Sequence, residues 1–380
     1  MEQFVMYNPV KLHFGRGVAD HLGNAVLKYG KRVLFVYGGG SILKNGIYSQ
    51  VMAQLEKIGA EVFEFQGIRP NPIIEDVDAA AALGREKNVD LILAVGGGSV
   101  IDSAKIIALT IPVSHTGWDF MKGKAKPESS VPLIAVLTLA ATGTEMNRFA
   151  VVQNNATKEK LGYGDLLTYP KESFLDPSFT LSVSKEYTSY GITDLIAHCL
   201  EAYFGEGEAT LSDRFVFSII WEAIDYGPAL MADLENYQLR EKIMYAATNA
   251  LNNLTGYGRK NGDWGVHSLG HVLSVLYDIP HGASLSIVYP AWLRLHLNRT
   301  PDRIAHLGKN LFGTESAEAA ITRLESFFRS IGSPVRLGEC GISIEEKGEE
   351  IIRTWQVNKS GGNHHKLNHA DYHELLRLMA

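Results

Sequence analysis

Four side chains carry the most specific chemistry in this sequence. Asp194 and His198 stand four residues apart in GITDLIAHCLEAYF, a helix-like stretch in which that spacing points a carboxylate and an imidazole the same way from adjacent turns. His267 follows in GVHSLGHVL and His281 in IPHGASLS. One carboxylate oxygen and three neutral imidazoles make a donor set for a borderline divalent ion such as Zn²⁺ or Fe²⁺. Brought together around such an ion, they would polarise a substrate oxygen, which is the work of an enzyme. A lone histidine on a helix is ordinarily a packing or surface residue; the spacing of all four is what points to a metal.

A second group of residues suits phosphate. In AVGGGSVIDSAK, Gly96, Gly97 and Gly98 fall between an apolar run and a helical pattern that starts near Ser99. Glycines let the backbone approach a ligand closely, and a helix start offers unpaired N–H groups and the positive end of the dipole. The spacing is neither the dinucleotide G-x-G-x-x-G nor a Walker loop. YGGGSIL, with Gly38, Gly39 and Ser41, ends an earlier apolar run, and no acidic residue lies between Tyr37 and Lys44. A carboxylate there would repel a 2′-phosphate, so its absence leaves room for NADP, with Ser41 and Lys44 as donors. LTLAATGTEMN adds the hydroxyls of Thr138, Thr142 and Thr144 after another apolar run. Three such loops at strand ends fit ligand binding beyond the carboxyl edge of an open sheet.

The elements that must hold these groups divide the chain in two. Apolar, β-rich runs at RVLFVY (32–37), EVFEFQ (61–66), LILAV (91–95) and PLIAVL (132–137) alternate with helical patterns near 46–58, 75–88 and 99–109. That order implies βαβ units and a mostly parallel sheet covered on both faces. From about residue 183 the apolar spacing is helical almost throughout. FLDPSFTLSVSKEYT interrupts both patterns, so the expected domains are 1–182, a Rossmann-like α/β domain, and 183–380, a helical domain carrying the metal motifs.

Composition bounds the reading. With 380 residues there is enough chain for two cores, and 46% hydrophobic with 21% charged residues is ordinary for a globular protein. A net charge of −6 argues against nucleic acid as a partner. No run of about 18 apolar residues exists, so no membrane span is expected, and the first residues do not read as a secretory signal. Two cysteines, Cys199 and Cys340, are too few for a disulfide framework and fit a reducing cytoplasm. Cys199 reads as a small buried apolar residue.

Together the motifs GGGSVIDSAK, LTLAATGTEMN, YGITDLIAHCLE, HSLGH and HGASLSIVYPAWL resemble the iron-containing (group III) alcohol dehydrogenase family, nearest its NADPH-dependent butanol dehydrogenases and aldehyde reductases, over nearly the whole chain. The resemblance implies a dehydroquinate synthase-like fold, one Fe²⁺ or Zn²⁺ on Asp194, His198, His267 and His281, and a pyrophosphate on Gly97, Gly98 and Ser99. It implies that Thr138, Thr142 and Asn147 meet the adenine or nicotinamide side and Lys160 the ribose. Asp102 would orient the carboxamide or brace the loop. His271, one turn beyond His267, would relay a proton. The implied reaction interconverts a primary alcohol such as butanol and its aldehyde with NADP(H), in a homodimer.

Alternatives on the same scaffold are glycerol or diol oxidation and a metal-dependent lyase; the latter needs a Lys/Arg cluster, whereas the metal motifs here have apolar neighbours. A non-catalytic nucleotide sensor is a third. Arg148 and Phe149 stand where the family often has small residues, and Glu201 and Tyr190 read first as packing or surface residues and second as residues that orient the ligands. In the tail, His364, His365, His369 and His373 could bind a second metal; the simpler reading is that Asn368 caps a last helix with Asp371 in its first turn and the histidines are solvated.

Overall fold

The computed structural model describes all 380 residues, Met1–Ala380. The chain forms two compact units: Tyr7–Val183 with Glu235–Met244, and Met1–Met6 with Ser184–Leu234 and Tyr245–Ala380.

The first unit is built on β1 (Lys11–Phe14), β2 (Arg32–Tyr37), β3 (Glu61–Gln66), β4 (Leu91–Gly96), β5 (Leu133–Leu137) and β8 (Glu172–Leu175), with a separate hairpin of β6 (Phe149–Asn154) and β7 (Glu159–Gly164). The six strands lie in the order β1-β8-β5-β4-β2-β3, and every pairing is parallel. Successive side chains of a strand face opposite sides. Thus Leu34, Val36, Ile92 and Ala94 enter one apolar core, while Val33, Phe35, Leu91, Leu93 and Val95 enter the other. Helices α1 (Ile47–Lys57), α2 (Ile74–Glu86) and α3 (Gly98–Thr110) connect these strands. After β3 the chain crosses to the other side of β2 to form β4, and that reversal of strand order is where open α/β sheets hold ligands.

Four strands, β1, β6, β7 and β8, escape the sequence pattern. Both β1 and β8 are four residues long, and β8 opens with a buried carboxylate, Glu172, that pairs with Lys28 and hydrogen-bonds His13 Nε2 at 2.7 Å. A charge placed inward and paired by tertiary contacts hides the apolar signature of a core strand. Strand β7, EKLGYG, carries two glycines and charged residues, so its pairing with β6 depends on the hairpin and not on local propensity. Within QFVMYNPVKLHF (3–14), which is rich in β-branched and aromatic residues, only Lys11–Phe14 pairs in the sheet.

The second unit is helical. Its principal helices are α4 (Lys185–Tyr203), α5 (Thr210–Ala232), α6 (Tyr237–Ala250, which opens within the first unit), α7 (Gly265–Tyr277), α8 (His281–Leu295), α9 (Pro301–Phe312), α10 (Ala317–Ser330), α11 (Ile344–Val357) and α12 (His369–Leu378). Ser184 caps α4, its hydroxyl accepting from the Tyr187 N–H. Helix α5 is long and apolar enough, by length and composition, to cross a membrane. Yet Val216, Ile220 and Ala223 are fully buried, and Asp213 pairs with Arg259 and Arg303, as expected of a core helix. The tail follows the capping half of the simpler reading, since Asn368 and Asp371 form a reciprocal capping box at the start of α12, but His365 is not solvated: its ring packs against those of Trp292 and His296.

Candidate metal and cofactor sites

Helix α4 carries Asp194 and His198, α7 carries His267, and α8 begins at His281. Two glycines let these helices approach closely. A Cβ on Gly282 would stand 2.2 Å from the Tyr190 carbonyl oxygen of α4, and one on Gly270 would stand 2.7 Å from Ser284 Oγ of α8. The result is convergence on one oxygen. Asp194 Oδ1 lies 3.6 Å from His198 Nε2, 3.8 Å from His267 Nε2 and 3.6 Å from His281 Nε2. Donor atoms of Asp194, His267 and His281 all fall within 4.8 Å of one another, and His198 joins them through Asp194. Asp194, His198 and His267 are buried, and His281 is partly open.

These separations are too long for hydrogen bonds. Asp194 Oδ1 and His267 Nε2 are buried yet make none. Buried polar atoms without a partner are costly. Donors 2.0–2.1 Å from a shared tetrahedral ion stand about 3.3–3.4 Å apart, slightly inside the spacing seen here. One carboxylate and three imidazoles at this separation therefore fit a divalent ion.

Glu201 completes the arrangement. It is buried, and its Oε1 accepts from His267 Nδ1 at 2.8 Å and from the His267 backbone N–H at 2.9 Å. A carboxylate on Nδ1 fixes the tautomer that turns the Nε2 lone pair toward Asp194, the usual support of a metal-binding histidine. Burial pulls the His267 imidazole down, but the Asp194 and Glu201 carboxylates outweigh it and hold it at about 9. Burial likewise pulls His198 to about 4, against Asp194. The carboxylates thus win at His267, whereas burial wins at His198 and keeps that imidazole neutral, the form that ligates a metal. Of the two sequence readings of Glu201, packing first and ligand orientation second, the geometry supports the second, and the spacing carries its signal: Asp194, His198 and Glu201 recur at i, i+4 and i+7, one stripe of α4.

Trp264 borders the cluster, its ring centroid 5.3 Å from that of His267 and 6.2 Å from that of His198. Its φ of 61° is left-handed, a strained choice for a bulky residue. Asp263 holds the turn: its carboxylate accepts from the N–H groups of Gly265, His364 and His365, at 3.2, 3.0 and 2.7 Å, and burial beside Glu201 pushes its carboxyl up to about 6. The ring of His271 lies 5.2 Å from that of His281. Cys199, on the same helix as Asp194, is fully buried, and burial pushes its thiol well up.

The expected cofactor residues lie beyond the carboxyl ends of three neighbouring strands. Gly38 and Gly39 follow β2 and Ser41 opens a short helix, Ser41–Lys44; Gly97, Gly98 and Ser99 join β4 to α3; Thr138 and Thr142 follow β5. A Cβ on Gly98 would stand 2.5 Å from Thr142 Cγ2, so only glycine fits where these two loops touch. Several of the side chains are engaged inside the protein. Ser99 Oγ donates to the Pro70 carbonyl. Asp102 accepts from Thr144 Oγ1 at 2.6 Å and from the Val151 N–H at 2.8 Å. Asn147 donates to the Gly143 carbonyl at 2.9 Å and accepts from the Phe149 N–H at 2.8 Å. Lys160, on β7, donates to Asn71 Oδ1 at 2.8 Å. Sequence reasoning passed over Lys105, which is fully buried and donates to Thr144 Oγ1 at 2.6 Å, Asn147 Oδ1 at 3.2 Å and the Phe149 carbonyl at 2.6 Å. Burial lowers its ammonium to about 8 against the pull of Asp102. Asp102 and Lys105 together tie α3 to the loop after β5 and to β6.

Comparison with known proteins bears on this pairing of sites. Residues 9–177 match the family described as iron-containing alcohol dehydrogenase, and residues 188–379 match its C-terminal region. The chain is 42% identical, over 386 aligned positions covering 99% of both chains, to the probable NADH-dependent butanol dehydrogenase 1 of Bacillus subtilis. It is 35% identical to the NADPH-dependent aldehyde reductase YqhD of Escherichia coli, over 90% of both chains. The crystal structure of NADH-dependent butanol dehydrogenase A from Thermotoga maritima superposes with a TM-score of 0.96 at 38% identity, covering 100% of this chain and 99% of that one.

Proposed function

The chain belongs to the iron-containing alcohol dehydrogenase family, and from that premise we propose that it interconverts a short-chain primary alcohol, such as butanol, and its aldehyde: alcohol + NAD(P)⁺ to aldehyde + NAD(P)H + H⁺. The observation that carries this reading is the meeting of three Nε2 atoms within 3.6–3.8 Å of Asp194 Oδ1 with no hydrogen bond among them. Asp194, His198, His267 and His281 would hold a divalent ion, iron or another. That ion supplies a Lewis acid for the substrate oxygen, and the nicotinamide gives or takes the hydride.

The remaining tasks fall to the chain's own residues. Glu201 orients His267 through Nδ1 and keeps the pocket attractive to cations. Trp264 shields two of the imidazoles from water with its ring. His271 passes the proton to or from the substrate oxygen, because it stands one turn from His267 and beside His281. Gly97, Gly98 and the start of α3 would hold the pyrophosphate with backbone N–H groups. With its hydroxyl given to Pro70, Ser99 contributes its N–H instead.

A nicotinamide cofactor follows from the family. We favour NADP(H), because no carboxylate lies between Tyr37 and Lys44 to repel a 2′-phosphate. Relatives are named for either form of the cofactor. A homodimer is also proposed, supported by the exposed Phe4, Val5, Met6 and Tyr7 of the amino-terminal segment. The deciding experiment follows NADPH and NADH absorbance with butanal, before and after metal removal by chelator. Turnover that is lost on removal and restored by Fe²⁺ or Zn²⁺ is expected; full activity in demetallated protein would end the proposal.

A further inference from the structure

We propose that His369 and His373 form a second, labile metal site for a borderline divalent ion of the Zn²⁺, Ni²⁺ or Cu²⁺ class, on the exposed face of α12. They stand at i and i+4, one above the other on the helix surface. Their Nε2 atoms are 3.3 Å apart, with ring centroids 4.7 Å apart and planes at 87°. Two nitrogens, each 2.0–2.1 Å from one tetrahedral ion, stand about 3.3–3.4 Å apart. The pair is thus already spaced as one edge of a coordination tetrahedron. Its backbone is also fixed: His369 is the first residue after the Asn368 cap, whose reciprocal bonds with Asp371 hold that turn, and Arg299 anchors Asp371. Water would fill the other coordination positions.

Gln356, on α11, decides whether both nitrogens are free. Its side-chain amide nitrogen hydrogen-bonds His369 Nδ1. An acceptor at Nδ1 places the His369 proton on Nε2, which then donates to His373 Nε2. Ligation needs both Nε2 lone pairs. The His369 proton must move to Nδ1 and the Gln356 amide must turn so that its oxygen accepts it. The ring stays neutral and no net proton is released. Gln356 is then the supporting acceptor that a metal-bound imidazole uses. Lys359 and Lys366 border the same hollow as His369, and their charges oppose a cation, which makes the site weak and exchangeable.

The test uses untagged protein whose Asp194 cluster is already loaded, titrated with Ni²⁺ by equilibrium dialysis. One further equivalent per chain is expected for the wild type and none for His373→Ala, with kcat/KM for the alcohol unchanged because His373 is exposed and is none of the residues assigned to the metal or cofactor sites. Gln356→Glu should tighten the added equivalent about tenfold, since a carboxylate accepts more strongly from Nδ1–H, and Gln356→Leu should loosen it by a similar factor. Equal stoichiometry in the wild type and His373→Ala, or no further equivalent in either, overturns the assignment. Identical affinity in the wild type and both Gln356 variants removes the amide from it.

Discussion

Glu201→Gln separates charge from geometry at the proposed metal centre. Both bonds from His267 end on the same oxygen, Oε1, at 2.8 and 2.9 Å. A glutamine oxygen can accept both, so the imidazole keeps its place and only the negative charge is lost. A rise of the His267 imidazole from 6.5 to about 9 corresponds to about 3 kcal/mol of preference for positive charge on that ring. Asp194 and Glu201 both supply this preference against the cost of burial, so deleting one charge should weaken metal affinity roughly 10- to 30-fold, within the range seen for such supporting partners. Chelator competition with the metal-loaded protein reads this directly, and unchanged binding of the nicotinamide cofactor controls for folding. A pH series on metal-free protein gives a second reading. The folded value lies above the unfolded one, so this contribution is complete below pH 6.5 and is lost as pH rises through about 9. In the glutamine variant the loss over that window should be about half as large. Metal affinity within twofold of the wild type would refute the claim that Glu201 supports the ion.

Four further outcomes follow from the same geometry. His198→Ala removes one of the four donors and should abolish turnover while cofactor binding, measured by nicotinamide fluorescence, persists; loss of both would indicate misfolding. Gly39→Asp meets no atom within 4 Å of the new Cβ, so its effect should be electrostatic: a carboxylate about 5 Å from a 2′-phosphate costs about 1.5–2 kcal/mol in water-like surroundings, and the NADPH/NADH ratio of kcat/KM should fall roughly 10- to 30-fold. Asp263, raised to about 6, contributes stability that is full below pH 4 and lost as pH rises through 6. The stability of Asp263→Asn relative to wild type, from urea midpoints, should therefore climb by up to about 3 kcal/mol between pH 4 and pH 7. His271→Asn should alter the pH–rate profile of alcohol oxidation; an unaltered profile removes His271 from the proton path.

Several features are legible in the order of residues alone. The runs RVLFVY, LILAV and PLIAVL form β2, β4 and β5 because a buried parallel strand needs apolar residues on both faces, and such runs stand out locally, whereas the edge strand β3, EVFEFQ, is half-buried and mixes aromatic and β-branched residues with exposed charges. The Asn368 cap is legible because a capping box is a contact between neighbours in the chain. Less visible are the edge strand β1 and its partner β8, whose inward charge at Glu172 is balanced by residues far away in sequence. From its place in the loop the Ser99 hydroxyl could cap the helix or meet a phosphate; it donates to the Pro70 carbonyl, 29 residues earlier, a partner that no local pattern announces.

The sequence by itself determined the donor types. Asp194 and His198 share a helix face by the arithmetic of 3.6 residues per turn, and that follows from order along one segment. Only the tertiary structure decided that His267 and His281 reach the same oxygen, because this depends on how closely three helices pack where Gly270 and Gly282 leave no Cβ between them. It alone turned Glu201 from a residue on the α4 stripe into the partner of His267 Nδ1, since a hydrogen bond spanning 66 positions arises from packing and not from the local sequence.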